Sequence, residues 1–230
     1  HRALLVLATW LAYNGDRLLD VRYLKGPVDS PRHEFVRCHF SVLSKLWVVA
    51  FALAVVLGLQ LQLREIIFGF VLLLVLGGYF LSHHSQPIRK HAGNIKEMMA
   101  GLIFASGAIF FVVIRVPIAP AFALVFVAWV ALCCMNCLII ACWDRARDAS
   151  MGQYSFAQYW IDANHWFWLW AVAIMVIAVS AWAMDTSFAP TAAALLLSAL
   201  ALAELARGKA TDSRRVLADV VLLVPIFFLW

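Results

Sequence analysis

Two stretches of this chain set carboxylates and guanidiniums at one spacing, Asp16-Arg17-x-x-Asp20 and Asp144-Arg145-x-x-Asp148. On a helix, residues four apart share a face, with Cβ atoms about 6 Å apart. Two carboxylates that close repel unless a cation sits between them. Carboxylates with few other donors nearby suit a hard cation, and Mg²⁺ takes one or two of them together with phosphate oxygens and water. Two such pairs facing each other could hold Mg²⁺ bridged by one diphosphate. A single pair reads better as exposed helix-end charges balanced by neighbouring arginines. A second copy at the end of another apolar run shifts the reading toward function, because acidic residues near membrane depth are costly and rare.

The elements that must position these residues are membrane spans. Of 230 residues, 65% are hydrophobic and only 13% charged, and mean hydropathy is +0.89. A soluble domain is about half apolar and about a quarter charged. The composition therefore gives an all-α integral membrane protein, a helical bundle in a single domain over residues 1–230. A bilayer core needs about 20 helical residues. Apolar runs near 1–15, 42–62, 65–83, 97–115, 119–142, 165–184, 189–206 and 214–230 predict eight spans.

Charge sets their direction. With alternating spans, 15 of the 18 Lys and Arg residues fall on one side, and only Arg2, Arg64 and Arg115 fall on the other. The positive-inside rule makes the first side cytoplasmic. Both acidic motifs lie on that side, with the long connections near 16–41, 84–96, 143–164 and 207–213. The loop from Val21 to Ser41 is basic, and Pro27 and Pro31 are expected to break regular structure there. It could cover a site at the first acidic pair, or lie against anionic lipid headgroups, which would equally explain its basicity.

Other residues are weaker signals. Cys134-x-x-Cys137 has the spacing of a metal or redox motif, but no second pair supports it. Small polarizable residues packing between helices explain it better. His33, His39, His83, His84, His91 and His165 form no i, i+4 ligand pair and read as interfacial. Asp219, inside the last span, is expected to be buried and to pair with Arg215, four residues back.

The motifs end the first and fifth runs, which suggests two similar halves of four spans. At this point the chain resembles the UbiA superfamily of intramembrane prenyltransferases, in particular its short bacterial members. "NIKEMMAGLIFASGA" (94–108) is similar to the family's lysine-led entry into its fifth helix, and "RRVLADVVLLVP" (214–225) to its final helix. The resemblance implies nine helices, so that one more precedes His1 and the motifs fall on the second and sixth. It implies Mg²⁺ as cofactor, held by Asp16, Asp20, Asp144 and Asp148, with Asn14 as a further ligand. Asn14 is two residues away from the family position, which is Ala12 here.

The same resemblance assigns the substrate diphosphate to Arg17, Arg22, Lys96 and Arg145. The implied reaction is Mg²⁺-dependent transfer of a prenyl group from an isoprenyl diphosphate to a lipophilic acceptor. The implied location is the bacterial inner membrane, with the acidic motifs on the cytoplasmic side. Partners are those substrates and membrane lipids. A terpene cyclase would use the same site without an acceptor. A non-catalytic UbiA-like subunit of a membrane complex is the other alternative, and a basic side chain occupying the place between the acidic pairs would favour it. A transporter fits less well, because the motif charges sit at span ends rather than at the midplane. Removing Asp144 is expected to abolish transfer while stability holds or rises, through relief of its repulsion with Asp148.

Overall fold

The computed structural model describes residues 2–23, 31–84, 95–115, 118–150, 155–158 and 164–229. Lys25, Pro27, Arg89, Lys90 and His91 lie outside the described residues. Those described are almost entirely helical: α1 Arg2–Tyr23, α2 Pro31–Cys38, α3 Phe40–Gly58, α4 Leu63–His84, α5 Lys96–Arg115, α6 Pro120–Ser150, α7 Asn164–Met184, α8 Ala189–Ala206 and α9 Asp212–Leu229. Single 3₁₀ turns follow at Phe156–Gln158 and Thr186–Phe188. Among the described residues, five segments are long and apolar enough to cross a membrane: Phe40–Gly58, Lys96–Ile114, Pro120–Ser150, His165–Met184 and Thr186–Ala206.

The helices refine the apolar runs where polar chemistry begins. α1 does not stop near residue 15 but continues through both acids of its motif to Tyr23. α6 likewise runs past residue 142 to Ser150. Pro31 does not break structure. It opens α2, because proline's fixed φ and missing N–H suit the first helical position.

The chain divides into two compact units, His1–His84 and Ser85–Trp230. In the first, α1 packs on α2 and α3. α3 has no buried residue; its apolar surface matches what a helix shows to lipid. In the second, α6 is the central helix, packed against α5, α7, α8 and α9. Its inward face supplies Val125, Trp129, Leu132, Met135, Leu138 and Ile139, all fully buried.

Small residues let the helices of the second unit approach closely. Ala171, Ala178 and Ala181 of α7 are buried, as are Ala192, Ala199 and Ala203 of α8. In a membrane no hydrophobic force draws helices together, so close van der Waals packing and interhelical hydrogen bonds must do it. α5 and α6 cross closely. A Cβ added at Gly101 would stand 2.7 Å from both Cα and N of Cys134. Cys134 Sγ donates to Met98 O at 3.4 Å across the same crossing. The cysteines are thus packing residues here, as the sequence suggests. α8 and α9 are tied by Thr191 Oγ1 donating to Phe228 O at 3.0 Å and Ser198 Oγ to Val221 O at 3.1 Å. Nearer the start of α9, Arg214 Nη1 donates to Leu205 O at 3.4 Å.

Candidate functional site

In the first unit the acidic motif lies on the last two turns of α1. Asp20 is buried, with 9% of its surface exposed, and its Oδ2 lies 3.5 Å from Arg17 Nη1. The Arg17 guanidinium also covers the Tyr13 ring at 5.4 Å from its centroid, a contact worth about 0.5–1 kcal/mol at an exposed site. Arg17 therefore spans Tyr13 and Asp20, and Arg22 is exposed. Asn14 Nδ2 donates to Trp10 O at 2.9 Å, which commits the amide nitrogen to its own helix.

α3 fixes the position of this motif. Trp47 Nε1 donates to Leu11 O at 2.9 Å. Its indole lies over Gly15, where a Cβ would come within 3.2 Å of Nε1. A glycine one residue before Asp16 is what allows the ring so close.

In the second unit, α6 explains why its motif stands where it does. A helix of 31 residues is about 46 Å long at 1.5 Å per residue, against roughly 30 Å of hydrocarbon. The last turns, carrying Asp144, Arg145, Arg147 and Asp148, extend beyond the apolar section. The same end of the unit collects the start of α5, with Lys96, where Met98 meets Cys134 and Glu97 meets Ser155, and the start of α9, where Arg215 meets Asp144.

Asp144 is held by two guanidiniums. Arg215 of α9 donates from Nη2 to Asp144 Oδ1, and Arg147 Nη1 lies 3.5 Å from the same oxygen. Arg215 Nη1 also donates to Asp212 Oδ1 at 3.0 Å. Asp219 is not buried but exposed, and its Oδ1 accepts from Asn136 Nδ2 at 3.2 Å. Asp219 thus finds a partner on α6, while Arg215 reaches a tertiary partner, Asp144, as well as Asp212 in its own first turn.

This ion pair changes one expectation. Removing the Asp144 carboxylate takes a partner from a buried guanidinium, and leaving a buried polar group unsatisfied costs roughly 1–3 kcal/mol, more when it is charged. Relief of repulsion with Asp148 is the smaller effect, because Arg147 and Arg215 already neutralise Asp144. Stability should fall on Asp144→Ala rather than hold or rise.

Glu97 is a polar residue that the spacing of motifs did not single out. It lies in the first turn of α5, is buried, and accepts from Ser155 Oγ at 2.8 Å. Ser155 Oγ also receives Ala157 N at 3.3 Å, so this contact seats the 3₁₀ turn after α6 against the start of α5. The signal for it was the charged pair Lys96-Glu97 opening an apolar run.

Among the described residues, no three His, Cys, Asp or Glu side chains gather as a metal-ligand set. The second unit offers instead a carboxylate pair on one helix, Asp144 and Asp148, with Asp144 balanced by arginine. Mg²⁺ asks little more of a protein when phosphate oxygens complete its shell, so the donor set fits a metal that arrives with a diphosphate. His39 Nδ1 contacts Phe35 O at 2.9 Å, and His165 lies beside Trp166 with centroids 5.1 Å apart. Both are exposed.

No protein-family model, curated protein or solved structure matches this chain.

Proposed function

We propose that this protein transfers a prenyl group from an isoprenyl diphosphate to a lipophilic acceptor inside the membrane, as a UbiA-like enzyme. In this reading eight apolar runs cross the bilayer, a ninth helix precedes them, and two similar halves of four spans each contribute one acidic motif. Both motifs face the cytoplasm. The observation that carries the reading is the paired occurrence of Asp-Arg-x-x-Asp on the polar ends of α1 and α6, set among arginines.

Mg²⁺ would be held by Asp16, Asp20, Asp144 and Asp148, and would neutralise charge on the departing diphosphate. Asn14 contributes at most its amide oxygen, since its nitrogen serves Trp10 O. Arg17, Arg22, Lys96 and Arg145 bind phosphate oxygens, the arginines suited to bidentate contact. The prenyl tail lies along the apolar helices, whose surfaces exclude water from the allylic cation left by ionisation.

The test is a transfer assay on purified protein, with an allylic isoprenyl diphosphate and a phenolic or lipid acceptor. Diphosphate release should require Mg²⁺ and stop on chelation; release at the level of protein-free vesicles would overturn the reading. The same reading requires the two acidic pairs to meet. Spin labels at Leu19 and Ala146 in a cysteine-free background should report a separation that puts the Asp20 and Asp144 carboxylates within about 15 Å, the reach of a metal-bridged diphosphate, and a separation of about twice that would rule out a shared site.

The Arg215–Asp144 pair favours a second reading, a non-catalytic subunit in which an arginine permanently fills the cation position. That form would co-purify with stoichiometric partners and release no diphosphate under any metal condition.

A further inference from the structure

Arg215 is an unusual buried arginine. Its side chain is only 8% exposed, against 20% for Asp144 and 84% for Asp212. It bonds one oxygen of Asp144 and one of Asp212, while its Nε is buried with no hydrogen-bond partner. A guanidinium offers five donors in a fixed fork, and an arginine kept for structure alone normally has them satisfied. A carboxylate beside a polar helix end, with a second carboxylate one turn on, is a ligand that a divalent cation would also use.

We infer that Arg215 is a built-in counterion that competes with a divalent cation for Asp144. The inference rests on the proposed reading of Asp144 as a metal ligand and deepens it. Arg215 holds the charge of Asp144 balanced while no metal–diphosphate is present. A cation binding at Asp144 displaces the guanidinium, and the displaced arginine keeps Asp212 as a partner, so its charge stays compensated. Arg147 cannot play this part as well: it lies 3.5 Å from Asp144 and is four times as exposed as Arg215. Water therefore screens it more strongly.

The experiment uses the full chain in detergent and Mn²⁺ with inorganic diphosphate as the probe, read by electron paramagnetic resonance. Arg215→Met should bind Mn²⁺ at least tenfold more tightly than the parent, and the gain should vanish in the Asp144→Asn/Arg215→Met double variant. Equal Mn²⁺ affinity in parent and Arg215→Met overturns the competition while leaving the transferase reading intact. Tight Mn²⁺ binding that survives the double variant removes Asp144 from the metal site and overturns both. Should Arg215→Met not fold, the parent protein gives the same decision. Saturating Mn²⁺ with diphosphate should increase modification of Arg215 by phenylglyoxal, mapped by mass spectrometry. Unchanged modification, or no Mn²⁺ binding at all, overturns the inference.

Discussion

On the proposed transferase reading, Asp144→Asn is expected to lower the rate of prenyl transfer by roughly 100- to 1,000-fold, the range seen when one preorganised electrostatic group is removed from an active site. The amide keeps the size of the side chain and still offers Arg215 an oxygen, so the α6–α9 contact survives in weakened form. Asp144→Ala removes that oxygen too, and its loss of activity would be mixed with a loss of stability. The Asn variant is therefore the informative one. It should be assayed for diphosphate release at saturating Mg²⁺, beside a thermal melt to show that the fold is retained. Activity within a factor of two of the parent would remove Asp144 from the chemistry.

Gly101→Ala is the second large effect, and it falls on stability. The new Cβ would lie 2.7 Å from the backbone of Cys134, and backbone atoms cannot rotate out of the way. Overpacking of this kind costs roughly 1–3 kcal/mol. The better helix propensity of alanine returns about 1 kcal/mol, which leaves a net loss of up to about 2 kcal/mol. Gly107→Ala is the control, since nothing lies within 4 Å of its Cβ position; it should be neutral or slightly stabilising. Unfolding in detergent should show a lower midpoint for Gly101→Ala only. Equal midpoints for Gly101→Ala and the parent would mean that α5 and α6 can separate without cost.

Much of this architecture is legible in the sequence because its strongest signals are local. The run at 189–206 has the same bounds as α8, and those at 97–115 and 165–184 differ from α5 and α7 by one residue at most. Apolar length alone fixes such helices. What the runs cannot mark is where a helix ends once its residues turn polar, since Asp and Arg are compatible with continuing a helix beyond the hydrocarbon. Hence α1 and α6 carry their motifs within the helix and not after it. Pro31 was misread for a related reason: proline stops a helix from the inside but starts one from the outside.

The partners of charged residues were the least legible. Arg215 and Asp219 are four apart, and local spacing suggests that they pair. In the fold Asp144 is 71 residues away in sequence and bonds Arg215, because α9 packs against α6. No periodicity within one helix carries that information. Glu97 and Ser155, 58 residues apart, were hidden in the same way.

The ties between α8 and α9 run in one direction, from side-chain donors to main-chain carbonyls. Thr191, Ser198 and Arg214 each need their own hydroxyl or guanidinium to make the contact. Phe228, Val221 and Leu205 contribute only a carbonyl, which any residue but one that distorts the helix would supply equally well. Mutational tolerance across this helix pair is therefore lopsided. The accepting positions are free to drift among apolar residues as the surrounding lipid demands, while the donating positions are held to a narrow chemical alphabet.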